Sequence, residues 1–532
     1  MANTPKEIIF EEEARLKLLK GIEILTDIVA CTLGPKGRNI CLGQSWGSPR
    51  ITNDGRTIVN DIELKDTFEN MGVSIAKEVV QKIKEKCGDG TTTGILLLRA
   101  FIQHGMRYVS SGASPIGLKR GMEKALEATC QALEKLSIAI KDDKDILNVA
   151  KVSASGNDEV GQIIAEAIKK VGRKGVITIE EAKGTETTIE VVEGMQFDRG
   201  YLSSYFCTNA EKMVVEMNRP SILLVDKKIN SVHEILPILQ QMASTGKELL
   251  IVAEDIEGDA LSTLVVNKLR NILRIAAVKA PGFGDRRKAM MQDLAILTGA
   301  TLITDDAGIS LKDASSDLLG SCEKIIITKD HTTIINGNGD KKQIEARLKQ
   351  IEAEIKACTS SYDKEKLEER RAKLSGGVAV IKVGAATEPE LKHKKQAFED
   401  SLNSTKAAIE EGIVPGGGVA LLRASKAAGE LKLEGDELLG AKLFINACQA
   451  PLRQIAINAG FDGSVIFLEV TKAKQNFGFN AMTEIVEDLV LAGVIDPTKV
   501  VKNALIFATS AAGIVLISEV LIANAKEEEE TD

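Results

Sequence analysis

Residues 88–94 read Gly88-Asp89-Gly90-Thr91-Thr92-Thr93-Gly94. The glycines let backbone N–H groups approach an anion, the hydroxyls can donate to its oxygens, and the carboxylate suits Mg²⁺. Taken alone, such a stretch is a turn that opens a helix as often as it is a phosphate site. The sequence has no Walker lysine here and no GxxxxGK[ST] motif elsewhere, which excludes a P-loop.

Three further loops carry the same residue types. They read TLGPKG at residues 32–37, TNDG at 52–55 and PGGG at 415–418. The last precedes Val419, where a helix is predicted to begin, and the amide groups and dipole at a helix N-terminus favour anions. Together the loops predict one polyphosphate site.

Length and composition predict a globular protein of several domains. A chain of 532 residues is too long for one hydrophobic core, so three domains are predicted, with two or four as the alternatives. Hydrophobic residues make up 44% and charged residues 27%, which is typical of folded proteins. The net charge of -8 argues against a binder of nucleic acid or anionic membranes. Aromatic residues are only 3%, so binding surfaces must use mainly aliphatic side chains.

The N-terminus, the cysteines and the most apolar run predict a cytoplasmic protein. The N-terminal segment has consecutive glutamates and no apolar core, unlike a secretory signal or a transit peptide. The 8 cysteines are scattered without a CxxC pair, as expected for reduced thiols. The apolar run at residues 503–518 is shorter than a bilayer requires, so a helix buried on all sides is predicted instead of a membrane span.

Hydrophobic periodicity changes along the chain. From residue 12 to about 140 apolar residues recur at helical spacing, interrupted by glycine-rich loops rather than by strands. β-branched runs at 176–180 and 187–192 predict strands. Residues 194–377 alternate short apolar strands with helices, and long helical segments follow. Helical ends therefore flank an α/β middle.

The phosphate-loop motifs together resemble the group I chaperonins of the GroEL type. The resemblance covers nearly the whole chain and is carried by residues 32–39, 88–93, 193–202, 280–288, 376–387, 415–419 and 496–500. It implies a multidomain α and α/β fold with a mostly helical equatorial domain, a small α/β intermediate domain and an α/β apical domain. The implied bounds are 1–135 and 411–526 (equatorial), 136–192 and 377–410 (intermediate), 193–376 (apical) and 527–532 (acidic tail).

The resemblance also implies an ATP site. Asp89 matches the Mg²⁺ ligand, Asp496 the residue that receives the ribose, and Asp400 the carboxylate that orients water for attack on the γ-phosphate. K⁺ is a possible further cofactor. Without the resemblance, Asp400 reads as an ordinary helix-surface carboxylate. The implied nucleotide contacts are Thr32, Leu33, Gly34, Pro35, Asp54, Asp89, Gly90, Thr91, Thr92, Thr93, Gly417, Asn480, Ala481, Met482 and Asp496.

The implied apical domain binds non-native polypeptides and a GroES-type co-chaperonin between two helices. An exposed aliphatic groove can accept many sequences because it buries apolar area without specific hydrogen bonds. By spacing alone these side chains read as core residues, and Leu264 is one that can face inward. The implied client-binding residues are Tyr201, Tyr205, Phe206, Leu236, Leu239, Leu261, Val265 and Val266.

The chain departs from the family pattern at three places. Asn53 stands where the family usually has a phosphate-contacting lysine, and losing a charge-assisted contact costs about 1.5–3 kcal/mol. Reduced ATP affinity is therefore predicted unless Lys36 or Arg50 compensates. Asn157 and Ala397 replace an acid and an arginine that pair across domains, which predicts altered allostery. The acidic tail lacks Gly/Met repeats, so a different chamber wall is predicted.

The sequence thus predicts an ATP-dependent chaperonin that forms a homo-oligomer of two stacked seven-membered rings. With a GroES-type partner it would enclose non-native proteins and promote their folding. A divergent paralogue that holds clients with little or no ATPase is the alternative from another class. A metabolic phosphotransferase is a third, but no small-substrate site is evident beside the phosphate loops.

Overall fold

The computed structural model describes residues 5–43, 49–140, 142–154, 157–173, 175–182, 184–210, 212–304, 311, 314–358, 361–375 and 377–524. The predicted acidic tail lies outside these residues. Contacts divide the chain into two compact units, one of residues 1–166 with 385–532, the other of residues 167–384. The predicted three-domain division stays a prediction.

Helices dominate both ends of the chain. They are α1 Glu11–Ala30, α2 Gly55–Asp61, α3 Thr67–Cys87, α4 Thr91–Ser110, α5 Pro115–Leu136, α6 Asp143–Ser153, α7 Asp158–Val171, α8 Leu236–Thr245, α9 Gly258–Leu269, α10 Gly284–Thr298, α11 Lys341–Ala357, α12 Ser361–Ser375, α13 Glu388–Glu411, α14 Val419–Ala424, α15 Gly435–Ala447, α16 Ala450–Asn458, α17 Gly463–Lys472 and α18 Thr498–Ile517.

Strands concentrate in the middle of the chain. They are β1 Lys6–Phe10, β2 Ile40–Leu42, β3 Arg50–Thr52, β4 Val176–Glu181, β5 Thr188–Val192, β6 Gly194–Phe197, β7 Val215–Asn218, β8 Ser221–Ile229, β9 Leu249–Ile256, β10 Ile275–Lys279, β11 Gly320–Ile327, β12 Thr332–Gly337, β13 Val378–Val383, β14 Ile413–Pro415, β15 Phe477–Asn480, β16 Ile485–Asp488, β17 Ile495–Pro497 and β18 Val520–Asn524.

The first unit has a helical core built from the amphipathic faces that the sequence predicts. On α1, Leu18, Ile22, Leu25 and Val29 are buried at the spacing of one helix face. Gly21 lets helices α1 and α3 pack closely. A Cβ at this position would lie 1.8 Å from the Glu69 carbonyl oxygen. Any larger residue at this position would separate the two helices.

Helix α18 carries the apolar run that the sequence assigns to a buried helix. Its composition alone would let it cross a membrane, yet 56% of its apolar window is buried within the protein. It packs against α3, α4 and α5 in the helical core. The helix therefore contributes to the core of the first unit, as predicted.

Two short strands, β2 and β3, interrupt the region from residue 12 to about 140, where the sequence predicts only loops between helices. Strands β2 and β3 pair antiparallel, and β1 pairs antiparallel with β18 near the other end of the chain. The runs of three to five residues are too short for their alternation to be distinguished from helical spacing.

The second unit is α/β, as predicted. Its larger sheet has seven strands in the order β10-β9-β8-β11-β12-β6, with β7 paired to β11. Strands β8, β9 and β10 run parallel and are buried over continuous apolar runs, because helices cover such strands. A second sheet has the order β4-β13-β5.

A buried charge cluster holds three helices of the second unit together. The Asp293 side chain on α10 is 0% exposed and accepts a hydrogen bond from Arg347 Nε of α11 at 2.7 Å. It also accepts hydrogen bonds from Arg370 of α12. The two guanidinium groups supply the partners that a buried carboxylate requires.

Candidate functional site

The loop of residues 88–90 connects α3 to α4. Gly88 ends α3 with φ of 76°, and Gly90 precedes α4 with φ of 88°. Both values lie in the left-handed region that favours glycine. Helix α4 begins at Thr91, so the first amide groups of this helix point into the site beside the hydroxyls of residues 91–93.

The TNDG loop lies directly against this helix start. A Cβ on Gly55 would come within 2.7 Å of Thr92 Oγ1 and 3.2 Å of Thr91 Oγ1. Asp54 caps α2, since its Oδ2 accepts hydrogen bonds from Thr57 N at 3.0 Å and Thr57 Oγ1 at 2.6 Å. The absent methyl group at position 55 therefore leaves room for the threonine hydroxyls.

Helix α13 brings its side chains to the same loop, although it lies more than 300 residues further along the chain. Ser404 Oγ donates to Asp89 Oδ2 at 3.0 Å. A Cβ on Gly88 would lie 2.2 Å from Asn403 Cβ, so the loop and the helix are in close contact. The predicted metal ligand is thus oriented by α13.

Asp400 of α13 faces a lysine that the sequence analysis did not identify. Lys84 Nζ donates to Asp400 Oδ1, and Gln396 Nε2 donates to the same oxygen at 2.9 Å. The Lys84 and Asp400 side chains are 13% and 19% exposed. Burial holds the pKa of Lys84 below its usual value, and the charges of Asp54 and Asp89 offset only part of this effect.

The TLGPKG loop is fixed to α16 and to the segment after β15. Gly34 has φ of 83°, and Asn458 Nδ2 donates to the Leu33 carbonyl oxygen at 2.9 Å. Lys36 forms an ion pair with Glu484. The backbone N–H of Glu484 in turn donates to the carbonyl oxygen of Asn480 at 2.7 Å.

The PGGG loop lies beside strands β15 and β17. A Cβ on Gly417 would be 3.5 Å from the Phe479 carbonyl oxygen, and a Cβ on Gly416 would be 3.3 Å from Asp496 Oδ1. Burial and the charge of Asp89 raise the pKa of Asp496 to about 7. Asp89 and Asp496 are therefore close enough for their negative charges to repel each other.

Residues 480–482 form a tight turn after β15. Asn480 is buried, its Nδ2 donates to Glu487 Oε1 at 2.7 Å, and its Oδ1 accepts from Met482 N at 3.0 Å. Ala481 is buried, whereas the Met482 side chain is 66% exposed. The turn thus presents one flexible apolar side chain at the surface.

The donor set fits a polyphosphate with Mg²⁺. Helix-start amides, hydroxyls and glycine backbones form a cradle for phosphate oxygens. In the described part of the chain, no group of three or more His, Cys, Asp or Glu residues could hold a metal by itself. Mg²⁺ is commonly bound by one or two carboxylates together with phosphate oxygens and water, so Asp89 suffices as a protein ligand.

The predicted client-binding residues divide into exposed and buried sets. In the second unit Tyr205 is 63%, Val266 44% and Leu236 38% exposed. Tyr201, Leu261 and Val265 are partly buried and pack against the core.

Phe206 and Leu239 are buried, although they were predicted to lie on an exposed client-binding surface. They are 0% and 5% exposed and belong to the core of the second unit. Helical and extended spacing does not show which side of an element faces the core when both sides are apolar. Leu264 is also buried, as the sequence analysis allowed.

Asn157 and Ala397 are the neutral residues that stand in place of the family's charged pair. The Asn157 side chain makes one hydrogen bond. Its Oδ1 accepts a hydrogen bond from Val160 N at 3.3 Å, at the start of α7. Asparagine is well suited to such a helix cap. The effect of this residue and Ala397 on allostery stays a prediction.

Cys87, beside the phosphate loop, is buried and free. Burial raises the pKa of its thiol to about 11. A thiol that stays protonated at neutral pH is a poor nucleophile. The structure thus agrees with a packing role for this cysteine.

The fold and the cradle define a chaperonin. The sequence model of the TCP-1/cpn60 chaperonin family matches residues 25–526, and the chain belongs to this family. Chaperonin GroEL 3 of Protochlamydia amoebophila (strain UWE25) is 67% identical over 526 residues, which cover 99% of this chain and 98% of that protein. The chain is therefore a GroEL-type chaperonin whose function is in protein folding, which confirms the predicted family, fold class and function.

Proteins of this family are in general ATPases that bind ATP with Mg²⁺, form oligomeric rings and bind client proteins. Three further residues support the site in this chain and were not predicted from the sequence: Lys84, Ser404 and Asn458. Only Lys84 had a local signal, because it is a cation in the last turn of the helix that precedes the loop. The other two act through contacts between distant segments.

Proposed function

We propose that this chain hydrolyses ATP at the loop cluster and uses the cycle to fold non-native proteins. One observation carries the proposal: helix α13 holds both Asp89, in the loop before α4, and Asp400, which pairs with Lys84 at the end of α3. Asp89 is held by Ser404 of α13, and Asp400 lies one helical turn earlier on the same helix. A carboxylate in the loop before a helix N-terminus and a second one on the helix that contacts this loop suit phosphoryl transfer, which needs positioning and charge neutralisation.

Each group in the cradle has a defined role in this proposal. The amides and hydroxyls of residues 91–93 donate to phosphate oxygens, and Asp89 holds the metal. Mg²⁺ supplies neutralisation of charge on the phosphate oxygens when it is bound. Among the described residues, both hydrogen-bond donors to Asp400 reach Oδ1, so Oδ2 is the oxygen that would orient the attacking water.

The remaining predicted contacts would hold the nucleoside. Residues 480–482 would line the base, and Asp496 would accept hydrogen bonds from the ribose hydroxyls. The position of Asp496 opposite the PGGG loop supports this role, because that loop is close enough to the carboxylate to share one ligand. K⁺ is a further proposed cofactor of the same site.

The proposed assembly follows from the family. The chain would form two stacked seven-membered rings in the cytoplasm and act with a GroES-type co-chaperonin. Tyr205, Leu236 and Val266 are exposed apolar side chains of the second unit that would contact clients. ATP binding would hide this surface and release the client into a closed chamber.

Steady-state ATPase of the purified protein tests the proposal, with and without a GroES-type protein. Asp400→Ala is the control, because it removes the proposed water-orienting carboxylate but adds no atoms. We expect hydrolysis well above the level of this variant. Equal rates of ATP hydrolysis by the native protein and Asp400→Ala would contradict the proposal of ATP-driven folding.

A client-holding oligomer with weak ATPase is the second candidate. The ion pair between Lys84 and Asp400 favours it, because a carboxylate engaged with a lysine is less available to water. The same assay separates the candidates. The second candidate predicts that clients remain protected from aggregation in the native protein while hydrolysis equals that of Asp400→Ala.

A further inference from the structure

The proposed ATP site is surrounded by carboxylates, which would repel the negatively charged phosphates of a nucleotide. Asp54, Asp89 and Asp400 all lie around it, and residue 53 is a neutral asparagine. An approaching polyphosphate adds further negative charge, and in a partly buried site such charges repel strongly. A protein cation is therefore needed for tight binding.

Lys84 contacts one of these carboxylates and lies within electrostatic reach of the other two. Its ammonium donates to Asp400, and the charges of Asp54 and Asp89 both act on it. Its side chain is only 13% exposed, so its interactions are weakly screened by water. The backbone carbonyl of Lys84 also accepts the Gly88 N–H at 2.9 Å, which fixes the lysine to the phosphate loop.

Three other basic residues, on a neighbouring loop, strand β3 and helix α2, are less well placed. Lys36 is engaged with Glu484. Arg50 is exposed on strand β3. Arg56 belongs to the first turn of α2, and its charge lowers the pKa of Lys84, so it lies within electrostatic reach of the same group. Arg56 is therefore the competing candidate that an experiment must test.

We propose that Lys84 is the phosphate-binding cation of this chain and replaces the lysine that is absent at position 53. Before nucleotide binds, Asp400 holds the ammonium. When phosphate arrives, the flexible lysine side chain exchanges Asp400 for phosphate oxygens, and the carboxylate becomes available to water. This inference rests on the proposed function, since it assigns a role within the same ATP site.

The exchange links binding to catalysis through one residue. A lysine is a compact charge on a flexible stem, so it can change partners without moving the backbone. Breaking the pair with Asp400 costs little when a more highly charged partner replaces it. The reduced ATP affinity expected from Asn53 would then be offset by Lys84.

Equilibrium binding of Mg·ATP to the intact protein tests the inference. Lys84→Gln removes the charge, and we expect about a 10- to 150-fold loss of affinity, the range for one charge-assisted hydrogen bond. Lys82→Gln is the matched control, because Lys82 lies on the same helix but is 52% exposed. This control should bind within about twofold of the native protein.

A compensating variant separates a phosphate contact from a structural role. Asn53→Lys in the Lys84→Gln background should recover most of the lost affinity. A helix that is merely damaged by the loss of Lys84 would not be repaired from position 53. Failure of this recovery overturns the inference.

The remaining outcomes are also decisive. Native-like binding by Lys84→Gln, or loss of binding only in Arg56→Gln, overturns the inference but leaves the proposed function intact. A native protein that binds no Mg·ATP removes the proposed function and the inference with it. Loss in Lys84→Gln, an unchanged Lys82→Gln and recovery by Asn53→Lys together establish the role of Lys84.

Discussion

Gly55→Ala tests whether the space beside the threonine hydroxyls is required for nucleotide binding. The added Cβ would lie 2.7 Å from Thr92 Oγ1, 3.2 Å from Thr91 Oγ1 and 3.3 Å from a Val29 methyl group. Gly55 does not have a positive φ, so alanine is compatible with the backbone. The clash therefore falls on the side chains of the site.

The magnitude follows from these distances. To restore an ordinary contact, the Thr92 hydroxyl must move by about 0.7 Å, enough to misalign a hydrogen bond to phosphate. Losing that bond should weaken Mg·ATP binding by about 1.5–3 kcal/mol, or about 10- to 150-fold. Alanine favours the helix by up to about 1 kcal/mol, which partly offsets the packing strain in overall stability.

The assay is equilibrium binding of Mg·ATP together with thermal unfolding of the same samples. Gly184→Ala is the matched control, because a Cβ there meets nothing within 4 Å. We expect weaker binding only in Gly55→Ala, with little change in the unfolding temperature of either variant. Native affinity in Gly55→Ala would refute the reasoning, and a large loss of stability would show that the clash disturbs the core instead.

Three further predictions concern the buried cluster, the ribose position and the client surface. Asp293→Ala should lower the free energy of unfolding by about 3–5 kcal/mol, because it leaves buried guanidinium groups without their partner. Glu352→Ala, in an exposed pair, should cost less than about 1 kcal/mol, and equal calorimetric shifts would contradict the difference. With a pKa of about 7, Asp496 is protonated at pH 6 and charged at pH 8, so Mg·ATP affinity measured in excess Mg²⁺ should rise about tenfold over this range. Asp496→Asn should bind with little pH dependence, and a native profile without a slope would exclude the linkage. Val266→Ser should weaken protection of a denatured test protein from aggregation, whereas the exposed control Val191→Ser should not, and equal effects would argue against a defined surface.

Much of the fold could be predicted from periodicity and composition. The strands predicted at 176–180 and 187–192 correspond to β4 and β5, and the apolar run at 503–518 lies almost entirely in a packed helix. These segments are long or strongly patterned, so local residue types decide them. The short strands β2 and β3 could not be predicted, because three residues carry too little pattern.

The candidate site divides in the same way. The glycine-rich loops and Asp89 could be selected from their residue types, whereas Asp400 came only from the family resemblance. The expected exposure of Phe206 and Leu239 was wrong, because packing decides which apolar side chains are covered. A sequence does not state which of two apolar faces has a neighbour.

The sequence by itself determined the glycine-rich turn that opens a helix at residues 88–94, the helical ends and the α/β middle, since these depend on local backbone freedom and on hydrophobic spacing. Only the tertiary structure placed Lys84 against Asp400, 316 residues apart, and Ser404 against Asp89, 315 residues apart. Such pairs form where distant helices pack, and electrostatic interactions depend on distance in space rather than on separation along the chain.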